Sequence, residues 1–365
     1  MRAQRLLPAG PRTGRAAALR DWPRRTPWLA PAAMIAAVAV LGGLGLAGCG
    51  QRTGHGAAAR AADPPLVAVA GSSAHNSSVI ELVSPTTGRV AKVVARVPTG
   101  NGFALSPDSK YLYVVGPVGN VIEIRRISIA TGKLTFVADG AYPAVSPDGR
   151  YLAYATGHGF TSVAVRDLRT GRTRVIDLRS QLGSGGTLLN QGAITWLGDS
   201  DEVVVLPGVP AAFTATARTG RARAERKGVG QTPPGRQPFI IVKVRPDRLA
   251  ARRIVVPDPY QAPLQVISGD LSQRRAFLIA KMGFGAPGTI TRVRLRAGGY
   301  RARVIAKLPQ GVLPVVIAPR GDFVLYLAGH SPPVLWAAAI GDGRLTGQHR
   351  LFVDTGRFGV NQAAW

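Results

Sequence analysis

Cysteine is nearly absent from this sequence: its 365 residues contain one, Cys49. A single cysteine cannot form an internal disulfide, so the core alone must stabilise the fold. Histidine is rare as well, with five residues, and no close-spaced His or carboxylate pair indicates a metal site. Neither a Gly-x-Ser-x-Gly nucleophile motif nor a phosphate-binding Gly-rich loop occurs. We therefore expect no covalent chemistry, no catalytic residues, no metal and no cofactor.

The N-terminal region has the three parts of an export signal. Residues 1–25 carry seven Arg and one acidic residue, Asp21, and the uncharged apolar run 28–48 then leads to Cys49. Leu46-Ala47-Gly48-Cys49 resembles the lipobox of bacterial lipoproteins, which implies lipidation of the Cys49 thiol and cleavage before it. We therefore interpret 1–48 as a lipoprotein signal peptide and 49–65 as a flexible tether. An uncleaved anchor is the alternative, because about 20 apolar residues span a bilayer, and both place the rest of the chain outside.

A repeated phrase organises the remainder of the chain. Leu105–Val115 and Val145–Ala155 both read as a Ser-Pro-Asp turn followed by a short β-rich run, 40 residues apart. A fixed period of this length is typical of propeller blades. Pro and Asp suit the central positions of the turn, and uncharged runs of Val, Leu, Tyr and Ala suit strands that are covered on both faces.

A second turn recurs six times, and a basic residue follows it each time. The copies are Pro85–Arg89, Ala130–Lys133, Arg169–Arg172, Arg245–Arg248, Ala297–Arg301 and Gly341–Arg344. Alternating apolar positions flank each copy, which is a hairpin signal. Six hairpins at this period predict six blades.

The two ends of the repeat region complement each other: the C-terminal end has an inner strand without a blade, and the N-terminal end has a blade without an inner strand. Asn361–Trp365 resembles Asn190–Trp196, an inner strand that leads into a blade, whereas the first blade has no inner strand of its own. We therefore predict an all-β, six-bladed β-propeller over 66–365, closed by pairing of the C-terminal strand with residues 66–70. Through Ser146–Tyr154 above all, the chain resembles the TolB-like, WD-repeat-like six-bladed propeller family. That resemblance implies the fold rather than an activity.

One connection in blade four departs from the period. Residues 207–238 are rich in Pro, Gly and Thr, and a loop of this length is either functional or disordered. It is a candidate binding loop with six basic residues: Arg218, Arg221, Arg223, Arg226, Lys227 and Arg236. His75, His158 and His330 each lie between the second and third strands of a blade, on the same face of the ring as this loop. They form a candidate rim that would hold a metal or sense pH, or they are ordinary polar loop residues.

The excess of positive charge in the chain limits the kinds of partner that it is expected to bind. The chain has 46 Lys and Arg against 19 Asp and Glu, and residues 66–365 alone keep 37 against 17, a net charge of +20. Such a domain attracts anions, and the export signal argues against nucleic acid. We expect a membrane-anchored, extracytoplasmic binding or scaffold module for a protein or an anionic envelope polymer. The alternative is a propeller enzyme, a metal-dependent lactonase-like hydrolase or a lyase, with its site in the central funnel. The sequence predicts no oligomeric state.

Overall fold

The computed structural model describes residues 66–72, 77–98, 102–182, 194–198, 201–207, 236–257, 265–282, 287–297, 299–329, 334–351 and 360–364. The predicted signal peptide, the lipobox, Cys49 and the tether lie outside this part of the chain. Within it, 24 strands form six antiparallel four-stranded sheets. The prediction of an all-β, six-bladed β-propeller is confirmed.

Each sheet is one blade, in which the first-named strand lies nearest the axis and the last-named strand lies at the outer edge. Blade one contains β24 (Val360–Ala364), β1 (Val67–Ser72), β2 (Ser77–Val83) and β3 (Val90–Pro98). Blade two contains β4 (Phe103–Leu105), β5 (Tyr111–Val118), β6 (Val121–Ser128) and β7 (Leu134–Asp139). Blade three contains β8 (Ala141–Val145), β9 (Tyr151–Thr156), β10 (Ser162–Asp167) and β11 (Thr173–Asp177).

The remaining three blades follow in chain order. Blade four contains β12 (Ile194–Trp196), β13 (Glu202–Val205), β14 (Arg236–Val244) and β15 (Leu249–Pro257). Blade five contains β16 (Gln265–Gly269), β17 (Ala276–Lys281), β18 (Gly288–Arg296) and β19 (Gly299–Leu308). Blade six contains β20 (Leu313–Ile317), β21 (Phe323–Ala328), β22 (Val334–Gly341) and β23 (Arg344–Arg350). The helical segments of the described ranges are a 3₁₀ turn at His158–Phe160 and α1 at Arg179–Leu182.

The inner strands form a circuit. They contact one another in the order β24, β4, β8, β12, β16 and β20, and β20 contacts β24. The inner strand of blade one comes from the far end of the chain, because β24 pairs antiparallel with β1 and Ala364 lies opposite Ala68.

The hydrophobic core lies between the blades, and β1 shows why its strands are continuously apolar. Val67 and Val69 pack with residues of blade six, whereas Ala68 and Ala70 pack with residues of blade two. Successive side chains of a strand point to opposite faces, and here both faces meet a neighbouring blade. Comparable clusters join blades two to three, three to four, four to five, and five to six.

The Ser-Pro-Asp turns are internally satisfied. The Ser106 hydroxyl donates to Asp108 Oδ1 at 2.7 Å and accepts the Tyr111 N–H at 2.9 Å, and Ser146 makes the equivalent two bonds in blade three. Both serines are buried, so these bonds satisfy groups that would otherwise destabilise the fold. The turns therefore serve to connect the inner strand of a blade to its second strand.

The connection in blade four is shorter than predicted. Strand β14 begins at Arg236 and pairs with β15 from Arg236 opposite Pro257 onward. Residues 236–238, which the sequence assigned to the loop 207–238, are therefore in the sheet. Antiparallel pairing with the nine-residue β15 extends the strand beyond the point where the apolar pattern begins.

Candidate functional site

The two faces of the propeller carry different connections. Each blade runs inner, second, third and outer strand in antiparallel order, so the first and third turns of a blade emerge on one face. We call this the hairpin face. The connection between the second and third strands and the passage to the next blade emerge on the other face, which we call the insertion face because the long connection of blade four belongs to it.

Few of the predicted site residues belong to the described part of the chain. His158 lies exposed in the 3₁₀ turn at His158–Phe160, on the insertion face. His75 and His330 lie outside the described residues, so their distances to His158 are undetermined. Five basic residues of the candidate binding loop also lie outside the described residues: Arg218, Arg221, Arg223, Arg226 and Lys227. For Arg236 the backbone is described, in β14.

The described part of the insertion face contains two strained aromatic residues in contact. Tyr142 has φ 54° and Phe160 has φ 53°, a backbone region that costs bulky residues about 1–3 kcal/mol. Their rings meet edge to face with centroids 5.9 Å apart. Tyr142 is buried at the start of β8, and burial raises the pKa of its hydroxyl. The sequence did not single out this pair, because backbone angles of aromatic residues leave no sequence pattern.

The strands around the axis consist of apolar and small uncharged residues. None of the 26 residues in β4, β8, β12, β16, β20 and β24 is Asp, Glu, Lys, Arg, His or Cys. The polar side chains among them are amides, hydroxyls and the Tyr142 phenol. The sequence of these strands therefore supplies hydrogen-bonding groups but no carboxylate or imidazole.

Two ion pairs with a buried acid lie near the hairpin face of blades four and five. Arg275 of blade five contacts both carboxylate oxygens of Glu202 of blade four, with two N–O distances of 2.9 Å, and the Glu202 side chain is only 4% exposed. Asp270 is fully buried and pairs with Arg292 at 2.5 Å. The first pair joins two blades, which indicates a structural role. Sequence reasoning missed both, since 73 and 22 positions separate the partners.

Trp196 also joins two blades. Its indole N–H donates to the Ala144 carbonyl of blade three at 2.8 Å. Its ring stacks on Tyr151, with centroids 6.0 Å apart. Trp196 is buried and fully engaged in this contact, so it is a packing residue rather than a ligand platform.

Acidic side chains of the hairpin face are held by their own turns. The Ser106 hydroxyl, more than any other group, lowers the pKa of Asp108. For Asp167, the backbone N–H of Thr170 is the largest cause of a lowered pKa, and the Arg150 side chain adds to it. Depressed values keep both carboxylates ionised at neutral pH, which suits turn formation and not proton transfer.

In the ranges that the structure describes, no group of three or more His, Cys, Asp and Glu side chains is placed to hold a metal ion. Among the same residues, no helix has both the length and the apolar character needed to cross a bilayer.

Solved structures with the same architecture place the fold among known proteins. TolB from Acinetobacter baumannii aligns with a TM-score of 0.54 and 12% identity, over 82% of this chain and 66% of its own. The chain thus spans just under two thirds of that protein. A chain of a nidogen/laminin complex aligns with a TM-score of 0.52 and 13% identity, over 82% of this chain and 97% of its own. These likenesses show the fold alone.

A more distant likeness is the periplasmic gluconolactonase of Pseudomonas aeruginosa, with a TM-score of 0.43 and 16% identity over 81% of this chain and 98% of its own. Neither a protein-family model nor a curated protein matches the chain.

Proposed function

We propose that the chain is a membrane-anchored, extracytoplasmic lipoprotein whose propeller is a non-catalytic binding or scaffold module. Its partner is a protein or an anionic polymer of the cell envelope, bound through the insertion face. The observation that carries this proposal is the contrast between an axis lined by uncharged strands and a domain whose net charge is +20. A propeller enzyme would place carboxylates or imidazoles at the ends of its inner strands, whereas a scaffold needs none there.

Two further observations support a binding role, and the first of them concerns the insertion face. The strained contact between Tyr142 and Phe160 belongs to this face, and residues held in unfavourable backbone regions cluster at ligand-binding and switch sites. The same fold occurs in a nidogen/laminin complex, an assembly of proteins, which agrees with binding by analogy of fold only.

The anchor has its own test. Wild type should incorporate a labelled fatty acid and Cys49→Ala should not, because lipidation requires the thiol. Both proteins are labelled in the same cells, and carbonate extraction shows whether each one stays in the membrane. If wild type incorporates no fatty acid, the lipid anchor is disproved and the uncleaved apolar run holds the chain instead.

The partner is tested by crosslinking in intact cells. Wild type should crosslink to an envelope protein or polymer that a variant lacking residues 211–235 does not retain. A second variant with Gln at Arg218, Arg221, Arg223, Arg226, Lys227 and Arg236 keeps the length of the loop, so its loss of salt-sensitive binding would identify charge as the cause. Undiminished crosslinking in both variants would disprove the role of this loop.

A further inference from the structure

An exposed basic residue recurs at the same place in every blade. It follows the turn between the third and outer strands, either just before the outer strand or within its first three residues. The six are Arg89, Lys133, Arg172, Arg248, Arg301 and Arg344, and all of them are exposed. Because this turn emerges on the hairpin face in each blade, the six side chains surround that face. We call them the basic rim.

The backbone of the turn does not require a basic side chain. In blades one to three the N–H of Gly88, Gly132 and Gly171 donates to the carbonyl four residues earlier, at 2.9, 2.7 and 2.8 Å. These glycines have φ of 71°, 70° and 74°, which explains why glycine recurs at this position.

The basic residue contributes only main-chain groups to the turn. The carbonyls of Arg89, Lys133 and Arg172 accept the bond that closes the hairpin, at 3.0, 2.9 and 2.9 Å. Their N–H groups donate to the hydroxyl of the Thr two residues earlier, at 3.3 or 3.4 Å. Any residue other than proline supplies the same groups. The recurrence of positive charge therefore needs a reason outside the turn.

The rim charges are largely unneutralised by the rest of the described structure. Within the ranges it covers, five of the six side chains make no ion pair or hydrogen bond, and Arg248 has only its neighbour Asp247, at 4.0 Å. The acids closer to the axis are engaged elsewhere, since Asp108 binds Ser106 and Lys110 and Asp270 binds Arg292. Asp167 also belongs to a rim turn, in blade three, but it pairs with Arg150 at 3.3 Å. Asp247 and Asp342 adjoin the rim in blades four and six. The rim is therefore most strongly positive at blades one, two, three and five.

The six positions lie around one axis on one face of the propeller. A flat anionic surface can meet them together, whereas a linear polymer must curve around the axis to do so. We propose that the hairpin face docks on the anionic phospholipid headgroups of the membrane that anchors the chain. The insertion face then points away from the bilayer, toward the partner. This inference rests on the proposed placement beside the membrane, but not on the identity of the partner.

The test is sedimentation of the full chain with lipid vesicles. One set of vesicles contains phosphatidylcholine alone, and the other contains phosphatidylcholine with phosphatidylglycerol. The rim variant carries Arg89→Gln, Lys133→Gln, Arg172→Gln and Arg301→Gln. The control variant removes the same charge at least five residues further along the outer strands, with Arg96→Gln, Arg253→Gln, Lys307→Gln and Arg350→Gln. The segment before residue 66, whether or not residues 1–48 have been removed, is the same in all proteins, so its own contribution to binding cancels.

The rim variant should bind anionic vesicles about 1000-fold more weakly than wild type, as expected for four cations near an anionic surface. The control variant should stay within about threefold, because charges away from that surface are screened over about 10 Å. A charge-keeping variant with the substitutions R89K, K133R, R172K and R301K should bind as wild type does. Equal thermal melting of all variants shows that the fold is intact.

Two results would overturn the inference. Equal losses in the rim and control variants would mean that net charge alone attracts the protein. In the second result, the rim variant loses binding to soluble polyphosphate by the same factor as it loses binding to vesicles. That result would mean that a polymer, and not a bilayer, occupies the rim. Deletion of residues 211–235 should leave vesicle binding unchanged, so failure of the partner proposal and failure of the lipid proposal are separate outcomes.

Discussion

Gly269 lies at a very close approach between the backbones of two blades. A Cβ atom at this position would lie 1.8 Å from the carbonyl oxygen of Trp196 and 3.0 Å from its carbonyl carbon. The Gly269 N–H also donates to the Thr195 hydroxyl at 2.9 Å. Gly269 is not among the glycines with positive φ, so sterics, and not backbone conformation, require glycine here.

The substitution Gly269→Ala should therefore separate the inner strands of blades four and five. The atoms that clash are backbone atoms, so no side-chain rotation relieves the contact. Overpacking of this kind costs about 1–3 kcal/mol, and loss of the bond to Thr195 costs about 1 kcal/mol more. We expect the free energy of unfolding to fall by about 2–4 kcal/mol.

Gly116→Ala is the matched control. Gly116 also lies in a strand, β5, and also lacks a positive φ, but its Cβ would meet no atom within 4 Å. This control should be neutral or stabilise by about 0.4–1 kcal/mol, because alanine reduces the entropy of the unfolded chain. In urea unfolding followed by tryptophan fluorescence, with a slope of about 3 kcal/mol/M, the midpoint of Gly269→Ala should fall by about 1 M. If the two variants unfold at the same urea concentration, the close approach is disproved.

Three further outcomes are expected. Arg275→Met leaves the buried Glu202 carboxylate without this partner and should cost about 3–5 kcal/mol; adding Glu202→Gln should recover part of the loss in urea unfolding, and no recovery would show that the pair is not coupled. The lowered pKa of Asp167 adds stability that is complete above the ordinary carboxyl pKa of about 4 and is lost as the pH falls through the lower folded value. Asp167→Asn should thus flatten the acid side of a plot of melting temperature against pH, and an unchanged acid side would contradict this. Deleting residues 363–365 should lower the melting temperature of the whole domain, because β1 loses residues that pair with Ala68 and Val69; unchanged calorimetric melting would show that this pairing contributes nothing to stability.

The fold could be predicted because the sequence signals of its turns and strands lie within short stretches of the chain. Ser106 and Ser146 repeat the same two hydrogen bonds 40 residues apart, so a repeated phrase reports a repeated turn. Both faces of β1 are buried, so this strand shows no alternation of apolar and polar residues. Strands of this kind are identified instead by short uncharged β-rich runs beside turn residues. The predicted start of β14 was too far along the chain for a related reason. Arg236 and Gln237 are polar, but both pair with residues of β15 in the sheet.

The site was predicted less well, for physical reasons that particular residues show. Glu202 and Arg275 lie 73 positions apart, and no local pattern joins them. The basic residue after each hairpin was visible in the sequence, but its arrangement into a rim on one face depends on the strand order of six separate sheets. Of the three candidate histidines only His158 is described, so the candidate metal or pH-sensing rim stays a prediction.

The register of the first sheet has a consequence for biosynthesis. Blades two to six are each built from one continuous segment of chain, so each is complete as soon as its own residues have emerged from the ribosome. The innermost pairing of blade one joins Ala68 to Ala364, at nearly opposite ends of the domain. Until that stretch arrives, β1 offers an unpaired edge to any neighbouring nascent chain, and contacts of such long range form slowly. During synthesis, the unpaired edge therefore belongs to the first strand of the domain and not to the last.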